Sequence, residues 1–202
     1  MRPVITECDI PLAGDLKVAK GAIVTPSARD LARERGVRIV EVAPDQLDAA
    51  PPHKTVAIGA DHGGFAMKEV LKPVFAELGL SVVDAGVFEA AAADYPDIAH
   101  KVAGIVRGGK ATRGVIVDGA GIGSAMAANK VPGIRAALCY DKASARNSRE
   151  HNDANVLTLG GRLLTASQAE EVLRVWLSTP FGGGRHQTRI DKITAIEKAY
   201  LK

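Results

Sequence analysis

One stretch of this sequence, residues 114–129 (GVIVDGAGIGSAMAAN), restricts the fold more than any other. A short apolar run ends at Asp118, a glycine-rich turn follows, and a helical pattern begins at Ser124. A strand, a glycine turn and a helix in this order present backbone N–H groups to an anion at the carboxyl end of a parallel strand. The same spacing also fits a tight strand-to-helix connection without a ligand. In both cases the stretch predicts an α/β fold with one carboxylate at the strand tip.

The composition excludes several classes of protein. The 202 residues carry 26 basic and 23 acidic side chains, for a net charge of +3, and no basic block of the kind that binds nucleic acid. No apolar run has the length of a membrane span or the form of a signal peptide. The two cysteines, Cys8 and Cys139, have no metal-type spacing and predict no disulfide framework. We therefore expect a cytoplasmic globular protein with neither a nucleic-acid nor a membrane partner.

The first 45 residues have the pattern of a separate small α+β unit. Thr25 and Pro26, a run of helix formers and then Gly36 predict a helix with a threonine N-cap, a proline at its first position and a glycine past its end. Residues 37–42 alternate like a strand, and the pairs 4–5 and 23–24 are candidates for short paired strands. We place a proline-rich linker at 46–53, between an extension (1–45) and a main domain (54–202).

The main domain alternates short apolar strands with helical segments. The predicted strands are Thr55–Gly59, Ser81–Asp84, Arg113–Val117, Ile134–Cys139 and Asn155–Leu159. Near-continuous apolar strands between helices are typical of a parallel sheet that is covered on both faces. Such sheets bind ligands at the carboxyl ends of their strands. We therefore expect a five-stranded parallel sheet with helices on both faces and a site at one edge.

Polar residues occur where this architecture would place a site. Asp61 and His62 directly follow the first strand and can contact a sugar hydroxyl or a phosphate, although an aspartate there also caps helices. His151 lies between a helix and a strand, where it can act as a general acid–base or interact with the helix C-terminus. Arg185 and Arg189 are four residues apart behind a run of glycines. They fit either a phosphate-binding site or an ordinary basic surface.

Five motifs, taken in order, carry a family resemblance: GADHGG, DYPD, GAGIGSAMAANKVPGIRAAL, SREHNDAN and GGRHQTRIDKI. Over about residues 54–198 the chain resembles the ribose-5-phosphate isomerase type B / galactose-6-phosphate isomerase family. The resemblance implies a Rossmann-like sheet and a homodimer or dimer of dimers with active sites at the subunit interface. It also implies aldose–ketose isomerisation of a phosphorylated sugar, of the ribose 5-phosphate/ribulose 5-phosphate type, without a metal or a cofactor.

The resemblance also implies roles for individual residues. His151 matches the group that opens the sugar ring across the dimer, with Asp61 assisting. The positions that hold substrate or its phosphate are matched by His62, Asn152, Arg162, Arg185 and Arg189. The amides of the glycine turn match the loop that stabilises the enediolate oxygens. The turn consists of Gly119, Ala120, Gly121, Ile122, Gly123 and Ser124.

The sequence departs from the family pattern at the strand tip. The pattern has at position 118 a cysteine that moves the proton between C1 and C2, and at position 120 a threonine or serine, whereas this chain has Asp118 and Ala120. Another branch has its base, a glutamate, at the position of Ser124. Aspartate in place of the cysteine resembles the A subunit of the two-component galactose-6-phosphate isomerase, whose partner subunit supplies the cysteine.

Two hypotheses follow from this departure. In the first, Asp118 is itself the base, since triose phosphate isomerisation also uses a carboxylate. In the second, the chain lacks a competent base and either pairs with a cysteine-bearing paralogue or binds phosphosugars without turnover. A changed substrate also fits. A nucleotide-binding module is a third interpretation, but the glycine turn follows the third strand and no acidic residue ends the next one.

The extension has a resemblance of its own. Residues 20–40 (KGAIVTPSARDLARERGVRIV) resemble short modules on some bacterial microcompartment enzymes. This resemblance implies that residues 1–45 contribute to assembly with a microcompartment shell or cargo, and that the protein resides inside such a compartment. The alternative is a structural extension that covers a sheet edge or a dimer surface.

Overall fold

The computed structural model describes residues 4–5, 10, 14–42 and 55–201. The chain divides into two compact units, residues 1–52 and 53–202. Cys8 and the predicted linker at 46–53 lie outside the described residues.

The first unit contains two small parallel pairs of strands and one helix. Its elements are β1 (Val4–Ile5), β2 (Asp15–Ala19), β3 (Ile23–Val24), α1 (Pro26–Glu34) and β4 (Arg38–Val42). Strand β1 pairs with β3, and β2 pairs with β4. The predicted helix is confirmed, because the Thr25 hydroxyl accepts a hydrogen bond from the Ala28 N–H at 3.2 Å. Strand β2 was not predicted from the sequence.

The second unit contains the predicted five-stranded parallel sheet. Its strands are β5 (Thr55–Ala60), β6 (Ser81–Asp84), β7 (Arg113–Asp118), β8 (Ala136–Leu138) and β9 (Val156–Gly160). The order across the sheet is β6-β5-β7-β9-β8, so β7 is central. The helices are α2 (Phe65–Glu77), α3 (Tyr95–Arg107), α4 (Ile122–Ala128), α5 (Lys142–Glu150), α6 (Ala166–Ser178) and α7 (Gln187–Tyr200).

Helices cover both faces of this sheet, as expected. Val115 and Val117 of β7 belong to the core beneath α2, α5 and α6. Ile116, between them, belongs to the core beneath α3 and α4. Successive residues of a strand point to opposite faces, so an uninterrupted apolar run is what a strand buried on both faces requires. Among the helices that the structure describes, none is long and apolar enough to cross a membrane.

Several boundaries differ from the sequence expectation, among them those of α4 and β8. Helix α4 begins at Ile122, two residues before the predicted start at Ser124. It begins earlier because Gly121 takes a left-handed conformation, with φ of +79°, that turns the chain directly into the helix. Strand β8 is limited to Ala136–Leu138, because only this part of the apolar run pairs with β9.

Candidate active site

The sheet brings two predicted site carboxylates to one edge. Asp118 is the last residue of β7, and Asp61 immediately follows the neighbouring strand β5. The register pairs Ala60 with Val117, and the Asp61 N–H donates a hydrogen bond to the Val117 carbonyl at 3.2 Å. Both carboxylates therefore lie at the carboxyl edge of the sheet, where open α/β sheets bind ligands.

The Asp118 carboxylate is held by the backbone of the glycine turn. Its Oδ1 accepts hydrogen bonds from the Ala120 N–H at 2.8 Å and from the Gly121 N–H, and its Oδ2 accepts one from the Ser124 N–H at 3.0 Å. The residue is only 4% exposed. Because a buried carboxylate needs such donors, the turn and the carboxylate stabilise each other.

Two other N–H groups of the turn differ from those that bind the Asp118 carboxylate. Within residues 55–201, no hydrogen bond pairs the N–H of Ile122 or of Gly123 with an acceptor. These are the first two positions of α4, whose N–H groups have no partner inside a helix. Three N–H groups of the turn thus bind its own carboxylate, and two others are available to a ligand.

Neighbouring loops pack closely against this turn. The Arg162 N–H donates to the Gly119 carbonyl at 3.1 Å, and the Arg162 side chain lies beside the same glycine. The Tyr140 hydroxyl donates to the Ala120 carbonyl at 2.9 Å. Tyr95 covers Gly123 so closely that a Cβ there would overlap its ring. The sequence pattern assigned no role to Tyr95, because its contact with the turn is long-range.

The loop after β5 contributes Asp61 and His62. The Asp61 Oδ1 accepts a hydrogen bond from the Gly64 N–H at 2.9 Å, as an aspartate that caps a turn does. His62 is exposed and lines an open cleft of about 400 Å³ together with Asp94 and Asp97. Its Nδ1 lies 3.4 Å from the Ala93 carbonyl. The cleft therefore begins next to the predicted phosphate or hydroxyl contact.

A second group of predicted residues surrounds His151 at the end of α5. Its imidazole stacks on that of His186, with ring centroids 4.2 Å apart and an angle of 8° between the planes. The Nδ1 of His151 lies 2.9 Å from the Nδ2 of Asn147, one helical turn earlier. Arg185 and Arg189 flank His186 in the chain and are exposed. The sequence pattern did not assign a role to His186 or Asn147, although each stands close in the chain to a predicted residue.

His186 is the buried member of the stacked pair. It is 9% exposed, and its Nδ1 has no hydrogen-bond partner in the part of the chain that the structure describes. Burial lowers the pKa of His186 below its usual range, and repulsion from His151 acts in the same direction. His151 thus packs against a buried ring on which a positive charge is disfavoured.

The turn that follows His151 is fixed by two arginines. Asp153 has φ of +44°, an uncommon conformation for a residue other than glycine. Its Oδ2 accepts a hydrogen bond from Arg135 at 2.9 Å and its Oδ1 one from Arg149 at 2.7 Å. The predicted substrate contact Asn152 lies in this turn, and its carbonyl accepts a hydrogen bond from Arg135 at 3.2 Å.

Within one chain, Asp61 and Asp118 at the strand tips form one group, and the residues around His151 form another. No hydrogen bond, ion pair or ring contact among the described residues joins Asp61 or Asp118 to His151. The same residues contain no group of three or more His, Cys, Asp or Glu side chains that could hold a metal ion. A groove of about 990 Å³ lies beside β8, and its lining includes Asn147, Asn152 and the α7 residue Ile196.

The chain is similar to sugar-phosphate isomerases of several bacteria. The chain is 45% identical over 147 residues to the putative sugar phosphate isomerase YwlF of Bacillus subtilis, a match that covers 72% of this chain and 99% of the relative. It is 42% identical over 145 residues to ribose-5-phosphate isomerase B of Escherichia coli (72% of this chain, 97% of the relative). It is 37% identical over 144 residues to D-erythrulose-4-phosphate isomerase of Pectobacterium atrosepticum (71% and 95%).

A solved structure of ribose-5-phosphate isomerase B from Clostridium thermocellum superimposes with a TM-score of 0.72 at 46% identity, and it covers 73% of this chain and 99% of that one. These relatives are sugar-phosphate isomerases by name, and this chain shares their Rossmann-like α/β fold. The Ribose/Galactose Isomerase family profile matches residues 56–193, and the chain belongs to that family.

Proposed function

We propose that this chain interconverts a phosphorylated aldose and its ketose through an enediolate, with Asp118 as the base. The observation that carries the proposal is the asymmetric anchoring of the Asp118 carboxylate at the tip of the central strand. Among the residues that the structure describes, Oδ1 accepts two backbone hydrogen bonds and Oδ2 accepts one. A carboxylate oxygen has two lone pairs, so Oδ2 keeps one to receive a proton from the carbon next to the carbonyl.

The other predicted residues have complementary roles. The free amides of Ile122 and Gly123 stabilise the negative charge that develops on the enediolate oxygens. The guanidinium groups of Arg185 and Arg189 bind the phosphate, to which planar arginine is well suited. Arg162 contacts the substrate beside the turn. His62 and Asn152 also bind the substrate, and His151 opens the ring of a cyclic sugar with assistance from Asp61.

We further propose that the complete site forms between two copies of the chain. The supporting observation is that the strand-tip residues and the His151 group have no contact within one chain. Helix α7 also presents Ile193, Ile196 and Tyr200 as exposed side chains along the large groove, where a second copy would cover them. A homodimer or a dimer of dimers would then pair the strand tips of one protomer with the His151 group of its partner.

One observation favours a second candidate function. The Asp118 carboxylate accepts three backbone hydrogen bonds that hold the glycine turn, so its role can be structural alone. In that case the chain binds phosphosugars and depends on a paralogous subunit with a cysteine for turnover. The two candidates make different predictions for substitutions at position 118.

The experiment is turnover of four- to six-carbon sugar phosphates by the purified chain, alongside Asp118→Asn and Asp118→Cys. If Asp118 is the base, the wild type turns over at least one sugar. Turnover then falls by at least about a hundredfold in Asp118→Asn, while phosphosugar binding persists. If the wild type only binds sugars and Asp118→Cys gains turnover, the second candidate is correct. A wild type that neither binds nor converts any sugar on the panel contradicts both.

For the first unit, we propose a role in assembly rather than in chemistry. It has its own small core, formed around Ile10, Ala28, Ala32 and Val37, and it precedes the region that the family profile matches. Removal of residues 1–50 should therefore leave the turnover of the purified protein within about twofold of the full chain. Loss of turnover at an unchanged dimer stability would show that the extension takes part in catalysis.

A further inference from the structure

The contact between Asn147 and His151 determines which ring nitrogen of His151 carries the proton. Asn147 Nδ2 lies 2.9 Å from His151 Nδ1, and the two residues are four positions apart on the same helix face. An amide nitrogen can only donate a hydrogen bond, so in the assigned orientation of this amide Nδ1 must accept. A neutral imidazole that accepts at Nδ1 carries its proton at Nε2.

The surroundings of His151 keep this arrangement in place. His186 covers one face of the ring, and its stacked geometry limits rotation of the imidazole. The charged groups near His186 are Arg185 and Arg189, which lower the pKa of His186, and Glu150, which acts in the opposite direction. The Nε2 of His151 has no hydrogen-bond partner among the described residues, and it is the nitrogen that remains for a ligand.

We propose that Asn147 is a positioning residue that holds His151 in the Nε2–H form, so that His151 presents a hydrogen-bond donor to the sugar and not a base. This inference rests on the proposed function, because it concerns how His151 assists ring opening. A donor at Nε2 stabilises the negative charge that develops on the ring oxygen as its bond to the anomeric carbon breaks. A carboxylate, for which Asp61 is the candidate, takes the proton of the anomeric hydroxyl as the carbonyl forms, and a proton from water completes the hydroxyl at the former ring oxygen.

The test compares Asn147→Asp with Asn147→Leu. An aspartate at this position accepts instead of donating, so it moves the ring proton of His151 to Nδ1 and leaves Nε2 bare. Leucine has a similar size but no hydrogen bond, so it leaves both forms populated. Because Asn147 is exposed, we expect both variants to fold, and urea denaturation checks this.

The first readout is the ¹⁵N NMR spectrum of the His151 ring, which reports the protonated nitrogen whether or not the protein is active. We expect the proton on Nε2 in the wild type and on Nδ1 in Asn147→Asp. The same protonated nitrogen in both proteins would overturn the inference. If the wild type converts no sugar, the proposed function fails, but this spectrum still decides the tautomer.

The second readout separates ring opening from isomerisation. Ribose 5-phosphate forms a ring, whereas an aldotetrose 4-phosphate cannot close a furanose because its O4 carries the phosphate. We expect Asn147→Asp to lower turnover of ribose 5-phosphate by about a hundredfold, and to leave turnover of the tetrose phosphate within about twofold. An equal loss on both sugars would show that Asn147 has only a structural role.

Discussion

The ammonium group of Lys68 lies 2.9 and 2.8 Å from the two carboxylate oxygens of Asp84. It donates a third hydrogen bond to the Val87 carbonyl at 2.7 Å, and Lys68 is completely buried. Helix α2, which follows the Asp61 loop, is in this way tied to the end of β6. The ion pair therefore supports the loop that carries Asp61 and His62 without contacting the proposed substrate.

Lys68→Met should lower the free energy of unfolding by about 3–5 kcal/mol, because it leaves a partly buried carboxylate without its main partner. Urea denaturation measures this loss. The matched control is Lys72→Met, since Lys72 also contacts Asp84, at 3.4 Å, but its side chain is 36% exposed. We expect the control to change stability by no more than about 1 kcal/mol. Equal losses in the two variants would contradict this account of the Lys68 site.

Asp84 should also make the protein sensitive to acid. Burial by itself would raise the pKa of Asp84, but hydrogen bonds from Lys68 and the Gly86 N–H outweigh it and hold the pKa below its usual value. The unfolded chain therefore binds a proton at a higher pH than the folded one does. This contribution to stability is complete above about pH 4, and it is lost as the pH falls through the lower pKa of the folded state.

The measurement is Tm as a function of pH between about 2 and 6 for the wild type and Asp84→Asn. We expect the variant to melt well below the wild type at pH 6, and the two curves to converge in acid. Parallel curves would show that the ionisation of Asp84 does not contribute to the pH dependence.

Asp118→Ala should destabilise the second unit irrespective of any catalytic role. The substitution removes the acceptor for three backbone N–H groups, those of Ala120, Gly121 and Ser124. We expect a loss of about 3 kcal/mol in the free energy of unfolding. The control is Asp141→Ala, which removes an exposed helix cap that accepts from the Ser144 N–H at 2.7 Å and should cost about 1 kcal/mol. A smaller loss at position 118 than at 141 would mean that the turn does not depend on its carboxylate.

Gly64→Ala tests the close approach between the Asp61 loop and the central strand. A Cβ at Gly64 would overlap the Val117 carbonyl, so the loop or the strand must shift, at a cost of at least about 1–3 kcal/mol. Gly104→Ala is the control, because Gly104 lies in the exposed interior of α3 with open space around its Cα. There alanine should stabilise by about 0.5–1 kcal/mol. Thermal unfolding of both variants checks the opposite signs.

Much of the fold is predictable because local patterns dominate it. The caps of α1 and the uninterrupted apolar run of β7 depend on residues that are close together in the sequence, and both are confirmed. The start of α4 was placed too late, because glycine's left-handed freedom at position 121 is not visible as helical periodicity.

The site is less predictable because it depends on contacts between distant segments. Lys68 and Asp84 are 16 residues apart, and neither position suggests a buried pair from its neighbours alone. The stack of His151 on His186 joins two motifs across 35 positions of sequence. The contact of Asn147 with His151 is different, since a spacing of four on a predicted helix is a local signal that could have identified it. The roles of the predicted site residues stay predictions.

The sheet of the second unit ends in two short strands. Strand β8 has three residues and β6 has four. Their unpaired edges offer few backbone donors and acceptors to another chain, which protects against the edge-to-edge growth that leads to fibrous aggregates. Association of copies by extending one sheet into the next is therefore disfavoured. Copies of this unit can instead associate through helical surfaces such as that of α7 while remaining in solution.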